Sequence, residues 1–357
     1  MIQGSRMRRR RQIHRHAHTP THMGRDIRSH SIHTTHLAMS SSGWNTLESD
    51  AGVFTELVES LGVKSVELDE LLSLDADQLR AVAPLYGVIF LFKYTHSALA
   101  PTTPGIPRDG SYDPDAEHAI FFARQKIQNA CATQAILSIV LNRSDIQLGS
   151  ALTEFKAFVE GFDSELRGET LSNSELIRLT HNSFSRPTPF VDETQPQRQA
   201  DDDDDLYHFI AYLPVNGTLY ELDGLQPYPI SHGACTDETF SEKIVEVLYR
   251  RIARYPEDEV RFNLLAVCRD RRELLATVGD TEGLLREEEK RAEWRKENVL
   301  RRENFVGLIY EVLKGVLGDV VANKGGVGFE KMISDAKAKT QKRLEEAQRR
   351  KMQSNSW

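Results

Sequence analysis

Cysteine is scarce in this chain: three residues in 357, Cys131, Cys235 and Cys268, with no CxxC pair among them. That spacing excludes a disulfide scaffold and a cysteine-based zinc site, and it fits a reducing compartment. Long apolar runs are missing too. No stretch approaches the roughly 18 residues that a membrane-spanning helix needs, so no membrane partner is expected. Acidic residues are nearly absent from the first 42 positions, which hold eight arginines and seven histidines against one acid, Asp26, although the whole chain carries a net charge of −8. Such a leader is a candidate transit peptide, but it lacks an apolar helical face, and its composition favours a disordered extension. Met39, followed by three serines, is an alternative start. His14, His16 and His18 alternate without carboxylate or cysteine partners, so a solvated tail is preferred to a metal site. No cofactor is implied.

Order is expected from Trp44. Asp50 is placed to cap a helix in which Phe54, Leu57, Val58 and Leu61 recur at helical spacing, and a second amphipathic stretch runs from Val66 to Leu74. Gly87 to Tyr94 reads as a fully buried strand. After a Pro- and Gly-rich connection at 100–114, the segment from Ile120 to Asn142 becomes apolar nearly all round from Cys131 onward, the pattern of a helix buried on every side. Ser172 to Phe184 reads as a helix, 236–254 as another, and Val260 to Cys268 as a strand. Residues 185–205, ending in Asp201 to Asp205, have little to bury and are expected as a surface loop; consecutive acids repel one another and make a poor metal site. Beyond Arg269 the chain is charged and helical. The expected organisation is an Arg/His-rich extension over 1–43, a catalytic domain over 44–270 and a helical extension over 271–357.

A thiol is weakly ionised near neutral pH, so a catalytic cysteine needs a helix N-terminus or a cationic neighbour. Asn129 is a natural N-cap, which puts Cys131 in the first helical turn, where free N–H groups and the helix dipole stabilise an anion. For an isolated cysteine a buried core role is the plainer reading. A hairpin shifts the balance. Leu206 to Val215 and Thr218 to Leu225 flank Asn216-Gly217, a step suited to a two-residue type I′ turn. With Val215 opposite Thr218, His208 falls opposite Leu225 and Asp223 opposite Ile210, which places His208 and Asp223 diagonally on one face, Cβ atoms roughly 7 Å apart. His208 as general base, oriented by Asp223, would complete a triad with Cys131, although nothing in the spacing brings the cysteine to them. Singly, His208 reads equally well as a core histidine and Asp223 as a turn residue. Gln125, six residues before Cys131, offers an amide donor for an oxyanion hole, though on spacing alone a polar loop residue is the commoner role. Cys268 reads as core, and Cys235 as a loop residue with no acid partner.

The segments Gln125-Lys126-Ile127-Gln128-Asn129-Ala130-Cys131-Ala132-Thr133-Gln134-Ala135, Tyr207-His208-Phe209 and Tyr220-Glu221-Leu222-Asp223-Gly224-Leu225 resemble the nucleophile, histidine and aspartate motifs of the ubiquitin C-terminal hydrolases, papain-like cysteine peptidases. Glu48 to Phe54 also matches, with Ala51 where the family pattern has proline. The resemblance covers about Trp44 to Asp270. It implies an α+β papain-like fold with an antiparallel sheet flanked by helices and a knotted chain path, plus a helical C-terminal extension. It also implies Cys131 as nucleophile, His208 as base, Asp223 as its orienting acid, Gln125 as the oxyanion-hole residue, and 185–205 as the crossover loop over the active site. The implied activity is deubiquitination by a cysteine-type hydrolase of the long, proteasome-associated subclass, in cytoplasm and nucleus. Its implied partners are ubiquitin, a proteasomal ubiquitin receptor bound through the extension, and a chromatin-remodelling complex. Rival readings are a ubiquitin-binding adaptor with an idle triad and a Cys/His/Asp acyltransferase. Asn304, Phe305, Leu308, Ile309, Val312 and Leu313 form an apolar stripe that fits either a partner or self-packing against the catalytic domain. Lys331 to Lys351 is basic, but Asp335, Glu345 and Glu346 favour a solvated helix over nucleic-acid binding.

Overall fold

The computed structural model describes residues 43–94, 105–186, 207–256 and 259–354. In chain order the helices are α1 (Ala51–Ser60), α2 (Ala76–Ala81), α3 (Ala116–Ala119), α4 (Cys131–Val140), α5 (Gly149–Phe158), α6 (Ser164–Asn173), α7 (Glu175–Asn182), α8 (Phe240–Ile252), α9 (Arg271–Val278), α10 (Thr281–Arg302) and α11 (Val306–Ser354), the last broken by a kink at Gly325. The strands are β1 (Val66–Glu70), β2 (Leu85–Lys93), β3 (Ser111–Tyr112), β4 (Tyr207–Val215), β5 (Thr218–Leu222), β6 (Ile230–Ala234) and β7 (Asn263–Arg269). They form one antiparallel sheet in the order β1-β7-β2-β4-β5-β6-β3.

Strand alternation divides the apolar residues between two cores. Ile89, Phe209, Ala211 and Leu213 face α1 and α4, whereas Val88, Phe90, Phe92, Ile210 and Tyr212 face α8. All ten residues of α4 are buried, as its apolar pattern requires. Helix α1 starts where expected, with Asp50 Oδ1 accepting the Val53 N–H at 2.9 Å. The hairpin also has the expected register, Val215 opposite Thr218 and Pro214 opposite Leu219. Asn216 and Gly217 both take positive φ, 52° and 77°, the conformation of a type I′ turn.

Three expectations need correction. Val66 to Leu74 is not one amphipathic element: Val66–Glu70 is a strand at the sheet edge paired with β7, where the apolar–polar alternation of Val66, Glu67, Leu68 and Asp69 suits the ladder, and a separate short helix follows. The helix read over Ser172 to Phe184 is two helices, α6 and α7, broken at Ser174, whose hydroxyl caps the second by accepting from Ile177 N–H. Asn129 does not cap α4. Its Nδ2 donates to the Trp44 carbonyl (3.0 Å), and a short 3₁₀ turn, Gln128–Ala130, leads into the helix. Residues 1–42 and all of the 185–205 loop beyond Arg186 lie outside the described residues.

The change of composition near 270 is not a gap in packing. Helix α10 lies against α1: Arg291 is buried between Glu59 (2.6 Å) and Asp270 (3.3 Å), and Asn298 Nδ2 donates to the Gly52 carbonyl (3.1 Å) and to Glu56 (2.7 Å). A Cβ at Gly52 would stand 2.7 Å from Trp294 Cγ, so the glycine lets the indole reach the helix backbone. Helix α11 is different. Phe305, Leu308, Ile309, Val312 and Leu313 are all exposed, so the stripe expected from the sequence does not pack on the sheet and its flanking helices.

Candidate active site

Cys131 is the first residue of α4, preceded by the 3₁₀ turn rather than by a side-chain cap. The first-turn N–H groups have no acceptor within the helix, so they and the dipole favour an anion at this position, even though Asn129 braces the Trp44 segment instead of capping. The thiol sits in the first helical turn as expected, but the expected cap, Asn129, is spent on the Trp44 carbonyl.

His208 and Asp223 meet, by a route slightly different from the one expected. The β4–β5 ladder ends at Ala211 opposite Leu222, so His208 is not paired with Leu225. Instead the chain turns at Asp223, whose carbonyl accepts the Gln226 N–H at 2.9 Å and whose Oδ1 accepts the Leu225 N–H at 3.0 Å. That turn leaves the carboxylate on the His208 face of the sheet, with Oδ1 2.7 Å from His208 Nε2. Both side chains are buried.

The Cys131 thiol lies close enough to the same imidazole to act on its protonation. With Nε2 taken by Asp223, Nδ1 is the ring nitrogen left for sulfur. Burial pushes the His208 imidazole down, but Asp223 and then Cys131 outweigh it and bring the pKa up to about 9. Burial likewise works against the Asp223 carboxylate, yet His208, the Leu225 N–H and the more distant Arg251 hold it below its ordinary value. A charged imidazole next to the thiol and an ionised carboxylate behind it is the arrangement that generates a nucleophilic thiolate.

Gln125 lies in the segment that leads into α4, half-buried, with its N–H donating to the Gly224 carbonyl at 2.8 Å. Gly224 follows Asp223, so one backbone hydrogen bond stitches the Gln125 segment to the acid of the His–Asp pair. A Cβ at Gly224 would stand 2.9 Å from Gln125 Cβ, which accounts for glycine there. Cys131, His208 and Asp223 therefore lie together, and a backbone hydrogen bond brings the Gln125 segment to the turn beside Asp223. The other cysteines do not: Cys268 is buried in β7, where burial pushes its thiol above its ordinary range, and Cys235 is buried beside Thr239. No cluster with metal-ligand character occurs among the described residues.

Sequence reasoning missed the polar wall behind His208. Tyr212, Glu221, His232 and Arg251 form a buried network joined by the Arg251 Nη1 to Glu221 Oε1 bond (2.6 Å), the Tyr212 hydroxyl to Glu221 bond (3.0 Å) and the His232 to Glu221 bond (3.1 Å). A signal was present. Phe240, Ile244, Val247, Leu248 and Arg251 share one helical stripe, and a charge at the end of an apolar stripe marks a buried cation.

Comparison with known proteins agrees with this geometry. Residues 44–253 match the family model described as ubiquitin carboxyl-terminal hydrolase, family 1, and residues 280–316 match a second, described as ubiquitin carboxyl-terminal hydrolases. The chain is 52% identical over 283 residues to ubiquitin carboxyl-terminal hydrolase 2 of Schizosaccharomyces pombe, covering 77% of this chain and 91% of that protein. It is 36% identical over 327 residues to the isozyme L5 protein of Dictyostelium discoideum, again covering 77% of this chain and 91% of the other. Among solved structures, the Trichinella spiralis UCH37 catalytic domain bound to ubiquitin vinyl methyl ester is 35% identical, with a TM-score of 0.54, covering 65% of this chain and 99% of that one. An antiparallel sheet between helices, a thiol at a buried helix start facing an imidazole–carboxylate pair, and these matches together establish that the chain belongs to the ubiquitin C-terminal hydrolase family.

Proposed function

We propose that this chain is a deubiquitinating cysteine protease that cleaves bonds at the C-terminal glycine of ubiquitin, with Cys131 as nucleophile. The observation that carries the reading is the convergence of three groups: Cys131 at the start of α4, His208 beside it, and Asp223 Oδ1 at 2.7 Å from the His208 ring. In this mechanism the Cys131 thiolate attacks the terminal carbonyl and the C–N bond to the leaving amine breaks as His208 protonates it. A thioester to ubiquitin remains. Water, deprotonated by His208, then attacks the thioester, releasing ubiquitin and restoring the thiolate–imidazolium pair. In this reading the Cys131 backbone N–H and the Gln125 side-chain amide donate to each tetrahedral oxyanion, where charge develops. Asp223 fixes the ring and stabilises its charged form without accepting the proton.

Two features support a partner on the extension: α10 is anchored to α1, and the stripe that follows it on α11 is left exposed. We assign the stripe to docking rather than self-packing, with a proteasomal ubiquitin receptor or a chromatin-remodelling complex as the partner named by family resemblance. The test uses ubiquitin vinyl methyl ester, with the modified residue read by mass spectrometry, and hydrolysis of ubiquitin-aminomethylcoumarin. Labelling is expected at Cys131, and Cys131→Ala is expected to lose at least about 10⁴-fold in turnover. Ubiquitin binding without labelling or turnover would instead identify an adaptor.

A further inference from the structure

Arg251 stands on the apolar stripe of α8 and is 4% exposed. A buried ion pair contributes little stability compared with apolar residues of the same volume, so its presence on this stripe directs attention to what it orders. The guanidinium ion-pairs Glu221, donates to the Tyr212 hydroxyl at 3.1 Å and places Cζ 4.6 Å from the centroid of the Phe92 ring. Tyr212 faces Glu221 across β4–β5, and Phe92 faces His208 across β2–β4. One cation thus ties together two cross-strand pairs on the same sheet face. The Phe92 ring meets the His208 ring at 89° with centroids 5.7 Å apart, and Tyr94 meets it at 84° and 6.2 Å.

A single hydrogen bond to Asp223 leaves an imidazole free to swing about its side-chain torsions, and flanking rings remove that freedom. Phe92 serves as a wall only if it is itself fixed, and a desolvated cation over its face fixes it through the ring quadrupole. We propose that Arg251 is a positioning residue for His208, holding Phe92 against the imidazole in the orientation that joins Cys131 to Asp223. This rests on the assignment of His208 as the base.

The test compares Arg251→Met/Glu221→Gln, which removes both charges of the ion pair, with Arg251→Lys, which keeps a cation over Phe92. In the double variant kcat on ubiquitin-aminomethylcoumarin is expected to fall ~10- to ~100-fold, with KM within about twofold of the original. The alkaline limb of Cys131 inactivation by iodoacetamide should move to lower pH, because a loosened ring spends less time on Asp223. Arg251→Lys should recover most of both. Phe92→Leu removes the wall while leaving the ion pair intact and should reproduce the double variant. A folded double variant or Phe92→Leu protein with the original kcat and alkaline limb overturns the proposal, as does Arg251→Lys impaired to the level of the double variant. Failure of the unsubstituted chain to be labelled by ubiquitin vinyl methyl ester at Cys131 overturns the assignment of the base itself, whatever position 251 does.

Discussion

Gly168→Ala places a methyl group where the fold has least room for one near the chemistry. Gly168 lies inside α6 and is buried, and its ideal Cβ overlaps the Arg124 carbonyl oxygen outright while lying 2.9 Å from the carbonyl carbon. Helix propensity alone favours alanine by about 1 kcal/mol. Overpacking opposes it by typically ~1–3 kcal/mol, and here the obstacle is backbone rather than a flexible side chain, so the upper end applies. The Arg124 segment is held on both sides, by its own N–H to the Ser164 carbonyl and by the Gln125 N–H to the Gly224 carbonyl, each 2.8 Å. If α6 yields, stability falls by a net ~1–2 kcal/mol. If the Arg124–Gln125 segment yields instead, the Gln125 amide moves by about 1 Å and turnover falls by up to ~100-fold. Thermal unfolding together with kcat for ubiquitin-aminomethylcoumarin separates the two. A Gly168→Ala protein that melts at or above the original temperature with unchanged kcat would show that this contact does not position Gln125.

Four further outcomes follow from the charges. In Asp223→Asn the imidazole loses its counter-charge, so kcat should drop by ~10³–10⁴-fold and the alkaline limb should retreat from near 9 toward the ordinary histidine value; an unchanged limb would remove Asp223 from the pair. The raised His208 pKa contributes stability that is complete below about 6.5 and lost as pH rises through about 9. His181 behaves oppositely: fully buried between Thr133 Oγ1 and the Asn45 carbonyl, both 2.7 Å away, it has its pKa lowered by desolvation to about 4. Its contribution is present above about 6.5 and lost as pH falls through 4, on the order of 3 kcal/mol, so His181→Gln should flatten the melting temperature across that window. Glu67 is 1% exposed, has Oε2 unpaired and Lys290 at 4.0 Å, and burial raises its carboxyl to about 7. The native state therefore loses stability as pH rises from about 4.5 through 7, and Glu67→Gln should raise the melting temperature at pH 8 but not at pH 5.

What could be read from the sequence follows the range of the interactions involved. The His208–Asp223 pair lies within one hairpin, and Asn216-Gly217 sets its register through local backbone preference, so geometry at the site was derivable from fifteen residues of chain. Even there the derivation stopped short, because the turn at Asp223 ends the ladder early and the final approach of the carboxylate depends on the Leu225 and Gln226 N–H groups. Cys131 reaches the pair only through the packing of α4 on β2 and β4, a contact between segments far apart in sequence, and periodicity carries no information about it. Family motifs supplied that link. Asn129 was misread for the same reason: its best partner is the Trp44 carbonyl, 85 residues away, and a long-range bond overrode a local cap. Helix α10 and helix α11 illustrate the limit most directly. The extension reads as charged and helical, with one apolar stripe that fits a partner or self-packing; yet Trp294, Arg291 and Asn298 anchor α10 because Gly52, Glu59 and Glu56 on α1 complement them, whereas Leu308 and Val312 of that stripe find nothing on the catalytic domain to cover. Complementarity between distant surfaces, not composition, decides that α10 packs on the fold while the apolar stripe leading into α11 stays exposed.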